Sequence, residues 1–109
     1  MSVDLVQRQF EAYNAQDLDA HCACFAENLI VGNLNGETTA NNLSAYRARM
    51  ADTFKKFPHN KARLVHRMKV GNTVIDHEDV TRGPGLERFE VIAIYTLRDG
   101  KIARIDYAR

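Results

Sequence analysis

Apolar and polar residues alternate along two segments near the end of the sequence, which predicts two half-buried β-strands. The segments are residues 87–98 and 101–109, and Asp99-Gly100 lies between them. This dipeptide is typical of the two-residue type I′ turn, whose twist suits the flanking strands. We therefore predict a β-hairpin over residues 87–109.

A regular hairpin fixes which residues of its two strands lie opposite each other. The predicted pairs are Arg98 with Lys101, Leu97 with Ile102, Tyr95 with Arg104, and Ala93 with Asp106. The face that carries them mixes apolar and charged residues, as a pocket wall does. The other face is predicted to be apolar, with Ile92, Ile94, Ile105 and Tyr107. Because the helices can cover only one face, we expect a second copy of the chain to cover this patch in a two-fold homodimer.

Helical spacing dominates the first half of the sequence. Asp17 is a suitable N-cap for a short second helix, and Asn41 or Asn42 can begin a longer third helix that ends before Pro58. Three apolar stripes support these helices. In order they are Val3, Val6, Phe10 and Tyr13; Leu18, Cys22 and Phe25; and Leu43, Tyr46, Met50, Phe54 and Phe57.

β-Strand character returns after residue 61. Residues 62–70 and 73–82 flank Gly71-Asn72, which predicts another hairpin, and residues 29–34 form an earlier short strand. Helices followed by an antiparallel meander are typical of an α+β fold. We predict that residues 1–109 form one domain, a curved antiparallel sheet with the helices packed on one face.

The charge balance argues against two classes of partner. Fifteen basic and fourteen acidic residues leave a formal net charge of +1, so neither nucleic acid nor a membrane surface is an expected partner. No apolar run is long enough to span a bilayer. The first residues lack the basic start and apolar core of a signal peptide, so the expected location is cytoplasmic.

Neither a metal nor an organic cofactor is predicted. His21, Cys22 and Cys24 form one small cluster of soft ligands, but no second cluster completes a zinc site. Two cysteines at this spacing on a helix point in different directions, so we expect small buried thiols rather than a disulfide. Phosphate-binding, dinucleotide-binding and nucleophile-elbow motifs are absent from the sequence.

Ionisable residues interrupt the apolar pattern in one predicted strand, at positions 76–79. Alternation puts Asp76, Glu78 and Arg82 on one face, without indicating whether that face points inward. Asp76 lies opposite Arg67, which predicts an ordinary cross-strand ion pair worth well under about 1 kcal/mol if it is exposed. The functional alternative is that Glu78 and Asp106 meet in a cavity, one of them as a base whose pKa is raised by burial, with Arg82 or Arg104 setting the charge.

Two parts of the sequence resemble a known superfamily. Residues 6–28, an aromatic helix followed by a short helix that ends in Phe25-Ala26-Glu27, are similar to the opening of SnoaL-like and ketosteroid-isomerase-like proteins of the nuclear transport factor 2-like superfamily. The closing strand, Asp99-Gly100-Lys101-Ile102 and the next strand are similar too. The resemblance implies a cone-shaped α+β barrel with an internal pocket, and usually a dimer through the outer face of the sheet.

The resemblance implies the fold more specifically than the activity. The oxyanion tyrosine, the base aspartate and the protonated aspartic acid of ketosteroid isomerases fall at Gln9, Asn33 and Ala93, so steroid isomerisation by the usual route is not expected. Asp106 matches the water-activating aspartate of limonene epoxide hydrolases, whose other two catalytic positions are occupied here by Glu78 and Val80. The resemblance also places Glu78, Arg82, Ala93 and Asp106 toward the cavity.

We therefore predict a small protein that binds a small apolar ligand, without a cofactor, as an isomerase, cyclase, dehydratase or hydrolase. The alternative is a non-catalytic ligand-binding or dimerisation module whose pocket is filled by its own side chains. The expected catalytic residues are Asp106 and Glu78, and the expected binding residues are Tyr13, Asn33, Arg82 and Tyr95.

Overall fold

The computed structural model describes residues 2–109, and of Ser2 only the backbone. Met1 lies outside the described residues. The helices are α1 (Ser2–Ala15), α2 (Leu18–Cys22) and α3 (Leu43–Lys56). The strands are β1 (Phe25–Asn33), β2 (Thr38–Ala40), β3 (Lys61–Val70), β4 (Thr73–Thr81), β5 (Phe89–Arg98) and β6 (Lys101–Ala108).

Local side-chain caps begin the second and third helices at the predicted residues. The Asp17 side chain accepts a hydrogen bond from the Ala20 amide at 3.1 Å, and the Asn42 side chain accepts one from the Ala45 amide at 2.7 Å. Each bond satisfies an amide in the first helical turn that lacks a partner within the helix. α2 ends at Cys22, however, so Phe25 belongs to β1 and not to the helix.

The six strands form one open sheet in the order β2-β1-β6-β5-β4-β3. Neighbouring strands are antiparallel except β1 and β6, which are parallel. α1 and α3 pack against one face of the sheet. The predicted α+β fold is thus confirmed, with one parallel pair that the alternation did not indicate. β2 escaped prediction because three residues are too few to show a period.

The core lies between the helices and the inner face of the sheet. It is built from fully buried side chains, including Val6, Leu29, Val31, Tyr46, Val74, Ile102 and Ile105. Burying each large apolar side chain contributes about 1.5–3 kcal/mol, so this layer drives folding. Cys22 and Cys24 are buried free thiols, as predicted. Within residues 2–109, no helix is long and apolar enough to cross a membrane.

The β5–β6 hairpin contains a bulge that the sequence analysis did not anticipate. Asp99 and Gly100 both have positive φ, at 53° and 77°, as a type I′ turn requires. Leu97 lies opposite Ile102 as predicted, but Thr96 then pairs with Arg104, so Ala103 is an extra residue. An extra residue shifts the rest of the strand by one position and turns its side chains to the other face.

The bulge makes part of the predicted register wrong. Tyr95 lies opposite Ile105, and Ala93 lies opposite Tyr107. Ile105 is therefore buried on the inner face, and the predicted outer apolar patch that included it and Tyr107 is wrong in those two positions. Asp106 lies on the outer face opposite Ile94, so its predicted place in the pocket wall is also wrong.

Candidate functional site

A cavity of about 280 Å³ lies between the helices and the inner face of the sheet. Ligand pockets commonly start at about 300 Å³, so this one suits a small molecule. Five of the six site residues expected from the sequence line it: Tyr13, Asn33, Glu78, Arg82 and Tyr95. They come from α1, β1, β4, the segment after β4, and β5. Gln9 and Val80, which the resemblance matched to catalytic positions of other proteins, line it as well.

Glu78 is a buried acid on the inner face of β4. The residue is 8% exposed and lines the cavity. The pKa of its carboxyl is raised to about 7, chiefly by burial and then by the Asp76 carboxylate, while Arg67 and the neighbouring Tyr95 hydroxyl oppose the rise. Near neutral pH, both the protonated and the ionised forms of Glu78 are therefore populated, as general acid–base chemistry requires.

Asp76 and Arg67 form a buried ion pair next to Glu78. The Arg67 guanidinium donates from Nε and Nη2 to the two Asp76 carboxylate oxygens, at 2.6 and 2.9 Å, and Asp76 is 0% exposed. Arg67 also donates to the Gln7 side-chain oxygen at 2.7 Å. The cross-strand pairing was predicted correctly. Because the pair is buried under α1, the energy given for an exposed pair does not apply to it. Arg67 is occupied by Asp76, and Glu78 forms no ion pair within 4.0 Å among residues 2–109.

Asp106 stands apart from the cavity. It accepts two hydrogen bonds from the Arg104 guanidinium, at 2.9 and 3.0 Å, on the outer face of β6. It is not among the lining residues. The two carboxyls that the sequence placed together are thus on opposite faces of the sheet, since the bulge at Ala103 turns Asp106 outward.

Gln9 fixes the hydroxyl of Tyr95 at the base of the cavity. The Gln9 amide nitrogen donates to the Val6 carbonyl at 2.9 Å and to the Tyr95 hydroxyl at 3.2 Å. Both amide hydrogens are then used, and the Tyr95 hydroxyl, which accepts here, keeps its own hydrogen for another acceptor. Burial raises the pKa of Tyr95 well above its ordinary value, so the phenol stays neutral.

His21 is a neutral member of the cavity wall. Its Nδ1 lies 2.8 Å from the Gln9 carbonyl, which can only accept, so Nδ1 carries the hydrogen. Nε2 then accepts from the Tyr46 hydroxyl at 2.8 Å. Burial lowers the pKa of His21 to about 4, which the Gln9 hydrogen bond partly opposes. His21 therefore orders the wall and adds no charge at neutral pH.

Arg82 is held on the cavity wall by two aromatic rings and an amide. Its guanidinium carbon lies 4.9 Å from the Phe57 ring centroid and 5.1 Å from that of Phe89. It donates to the Asn60 side-chain oxygen at 3.0 Å, and the Asn60 amide nitrogen donates to the Tyr13 hydroxyl at 2.6 Å. Burial raises the pKa of Tyr13, whereas the charge of Arg82 lowers it.

Several residues of the site were missed by the sequence analysis. Asn60 follows Pro58-His59 in a loop without a period, so nothing in the pattern marked it as buried. Tyr107 lines the cavity but was assigned to the outer face. The adjacent apolar residues Ile102 and Ala103 were the available signal for the bulge, because a regular half-exposed strand alternates. Within residues 2–109, no group of three His, Cys, Asp or Glu residues could hold a metal ion.

Solved structures share this fold over nearly the whole chain. An uncharacterised cystatin-fold protein from Novosphingobium aromaticivorans is 29% identical, with a TM-score of 0.93 over 99% of this chain and 97% of that one. A candidate polyketide cyclase from Sinorhizobium meliloti is 23% identical, with a TM-score of 0.82 over 99% of each chain. A candidate ketosteroid isomerase from Kribbella flavida is 16% identical, with a TM-score of 0.82 over 97% of this chain and 75% of that one.

The last two identities are low enough that these likenesses show the fold alone. No curated protein matches the chain. A family model described as the SnoaL-like domain matches residues 6–105, which is most of the sequence and includes β1 to β5 and the first part of β6. The resemblance inferred from the helices and the closing hairpin is thereby confirmed, and the chain belongs to the SnoaL-like domain family.

Proposed function

We propose that this protein binds a small, largely apolar molecule in the cavity and moves a proton on it, with Glu78 as the acid–base group. The reaction class is that of an isomerase, cyclase, dehydratase or hydrolase. One observation carries the proposal: Glu78 is buried in a cavity, without an ion-pair partner, and its pKa is about 7. A perturbed acid in a cleft marks a candidate active site. The cytoplasmic location expected from the sequence stays a prediction.

The surrounding hydroxyls support this chemistry. Ionised Glu78 would take a proton from an acidic carbon or from water, and the protonated acid would return it. A developing oxyanion would find neutral phenol donors in Tyr95 and Tyr13, which line the same cavity. Asn33 is available as a further amide contact. Asp106 has no part in this proposal because it lies on the other face of the sheet.

A ligand screen tests the binding part of the proposal. The panel contains steroids, terpenoid epoxides, polyketide fragments and aromatic acids, and two of these classes follow the names of the relatives. A ligand present at about a hundred times its dissociation constant adds about 2.7 kcal/mol to the free energy of unfolding, which gives a clear shift in Tm. The alternative of a filled, non-catalytic pocket predicts no shift with any member.

A pair of variants tests the catalytic part. With a ligand from the screen, deuterium exchange at its acidic carbon is followed by NMR. Glu78→Gln is expected to slow exchange by about 100- to 10,000-fold while ligand binding persists, because general acid–base catalysis contributes about that factor. Asp106→Asn removes a carboxylate from the outer face and is expected to leave the rate unchanged. Equal losses in both variants, or normal exchange in Glu78→Gln, would contradict the assignment.

We also propose that the outer face of the sheet joins two copies of the chain. Met68, Ile75 and Ile94 form a cross-strand apolar row there, and Ile92 beside it is 40% exposed. The neighbouring charges are already paired within the chain, as Arg104 with Asp106 is. Two such faces can therefore meet without unpaired like charges.

Light scattering coupled to gel filtration tests the dimer. The wild-type protein is expected to run as a dimer at micromolar concentration. Ile92→Asp is expected to run as a monomer, because it would bury an unpaired charge at the interface. Leu86→Asp is the matched control, since Leu86 is an exposed apolar residue in the loop between β4 and β5. A monomeric wild-type protein would overturn the proposal.

A further inference from the structure

The wall of the cavity carries an excess of positive charge. Three arginines line it, Arg49, Arg82 and Arg109, whereas Glu78 is the one carboxyl side chain among the lining residues that the structure describes. The chain as a whole has a formal net charge of only +1, so the excess is local to this cavity. Charge of one sign around a cleft raises the local concentration of ligands of the opposite sign.

Arg82 is the best placed of the three to contact a ligand. Rings on two sides fix its plane, and one of its five N–H groups donates to Asn60. It forms no ion pair within 4.0 Å among residues 2–109, although other strand arginines such as Arg67 and Arg104 do. A partly buried cation fixed in place and lacking an acidic partner is suited to receive an anion from outside the chain.

The shape of this cation favours a carboxylate over a phosphate. A planar guanidinium fork matches the two oxygens of a carboxylate, and the Phe57 and Phe89 rings near the Arg82 guanidinium offer apolar surface to the body of such a ligand. Phosphate sites are typically built from helix N-termini or from runs of backbone amides. The cavity wall is instead lined by side chains of helices, strands and the segment after β4, with apolar surface from Phe10, Val80 and Val91.

We propose that the ligand of this cavity is a small carboxylate with an apolar or aromatic body, whose carboxylate group binds the Arg82 guanidinium. The inference rests on the proposed function and adds the substrate class. Glu78 lies in β4 and Arg82 directly follows the end of that strand, and both side chains line the cavity. A ligand that contacts both side chains has its anionic group at Arg82 and its reacting atom nearer Glu78.

Matched ligand pairs test this class directly. Benzoate, phenylacetate and cinnamate are each compared with their primary amide by isothermal titration calorimetry on the intact protein, with phenyl phosphate as a second anion. Each amide keeps the shape of the acid and lacks its charge. A charge-assisted bond to Arg82 is expected to make at least one carboxylate bind about 10- to 100-fold tighter than its amide. Binding of that carboxylate is also expected to weaken as the salt concentration rises from about 0.05 to 0.5 M, whereas binding of the amide is not.

Variants locate the effect at Arg82. Arg82→Gln is expected to remove the preference for the carboxylate, leaving acid and amide equal, and Arg82→Lys is expected to restore part of it by returning the charge. Arg88→Gln is the matched control, because Arg88 is an exposed arginine that pairs with Asp79 away from the cavity. Should Arg82→Gln fail to fold, the salt dependence of the wild-type protein decides the question.

The outcomes separate this inference from the proposed function. Equal binding of acids and amides, or tighter binding of phenyl phosphate, would overturn the carboxylate class while leaving Glu78 as the acid–base group. Absence of binding by every carboxylate at about 10 mM would also overturn it. Selective carboxylate binding with normal proton exchange in Glu78→Gln would support the inference and overturn the proposed function instead.

Discussion

The two faces of the sheet both carry carboxylate side chains, but these side chains differ in whether an arginine pairs with them. On the outer face, Asp106 pairs with Arg104, whose side chain is 46% exposed, and Asp79 contacts two exposed arginines. On the inner face, Arg67 forms an ion pair with Asp76, and Glu78 lies in the cavity without an ion-pair partner among residues 2–109. The Asp106 and Asp79 side chains are themselves only 16% and 8% exposed. The same chemical group is therefore paired with exposed arginines on one side and is a perturbed acid on the other.

This difference shows that the pKa of a carboxylate depends less on how many cations lie near it than on which carboxylate each cation pairs with. Arg67 lowers the pKa of Glu78, yet burial and the Asp76 carboxylate outweigh it. If Arg67 paired with Glu78 instead, the pKa of Glu78 would fall, because an opposite charge favours the ionised form. The buried ion pair thus keeps Glu78 able to exchange a proton near pH 7.

The largest expected contrast comes from breaking one bidentate ion pair on each face. Arg67→Met leaves the Asp76 carboxylate buried without a partner, which costs about 3–5 kcal/mol of unfolding free energy. Arg104→Met leaves Asp106, whose side chain is 16% exposed, within reach of water, so the cost is smaller, about 1 kcal/mol. Urea unfolding of both variants measures the difference. Similar losses would contradict the distinction between the faces.

The next contrast concerns the pH dependence of stability. The pKa of Glu78 is raised from 4.5 to about 7 in the folded chain. Between these values the folded state holds a proton that the unfolded state has released, so this group's stabilising contribution is complete below pH 4.5 and is lost as pH rises to about 7. Glu78→Gln cannot ionise, and relative to wild type it is expected to gain about 3 kcal/mol over that interval.

His21 has the opposite dependence and partly hides this effect in the wild-type protein. Its pKa is lowered from 6.5 to about 4, so its contribution is present above pH 6.5 and is lost as pH falls to about 4. Unfolding of Glu78→Gln should therefore show stability that rises with pH over this range. Asp106→Asn serves as the control for removing a carboxylate. A constant difference between Glu78→Gln and wild type from about pH 5 to 8 would show that Glu78 is not perturbed.

The smallest expected effect comes from a second outer-face carboxylate. Glu90 accepts a hydrogen bond from His77 at 2.6 Å, but both side chains are substantially exposed. Glu90→Gln should change the unfolding free energy by less than about 0.5 kcal/mol at pH 8, because exposed polar substitutions rarely do more. Thermal or urea unfolding in the Ile92→Asp background, in which the proposed dimer is broken, gives the comparison, and a larger loss there would contradict the exposure of this pair.

Much of the fold follows from local sequence signals. The caps Asp17 and Asn42 and the Asp99-Gly100 turn act over a few residues, and the structure has each where it was predicted. The second apolar stripe is shorter than predicted, since Phe25 lies in β1. The parallel pairing of β1 with β6 joins segments that are distant in the sequence. No pattern within either strand indicates which strand it pairs with. Glu78 and Arg82 were expected in the cavity because the family resemblance supplied the inward face that alternation left open. Tyr13 was expected from the first helical stripe, Tyr95 from the mixed face of the hairpin, and Asn33 from a matched catalytic position of the resemblance.

The errors in assigning the faces of β6 have a single physical origin. Alternation assigns faces correctly only while the register continues, and one extra residue reverses every later assignment in the strand. Ala103 is that residue, so Asp106 and Tyr107 exchanged places between prediction and structure. The burial of Asp76 was missed for another reason: α1 covers it, and no pattern within β4 reports what packs above the strand.

The bulge at Ala103 also bears on how relatives of this chain should be aligned. A homologue with a regular sixth strand has one residue fewer at this point. An ungapped alignment through it would therefore equate inward positions with outward ones from residue 104 onward. Catalytic residues transferred along such columns would be taken from the wrong side of the sheet. Insertion or deletion of one amino acid here would exchange ligand-facing and surface positions together, which gives a lineage a short route to a different cavity wall.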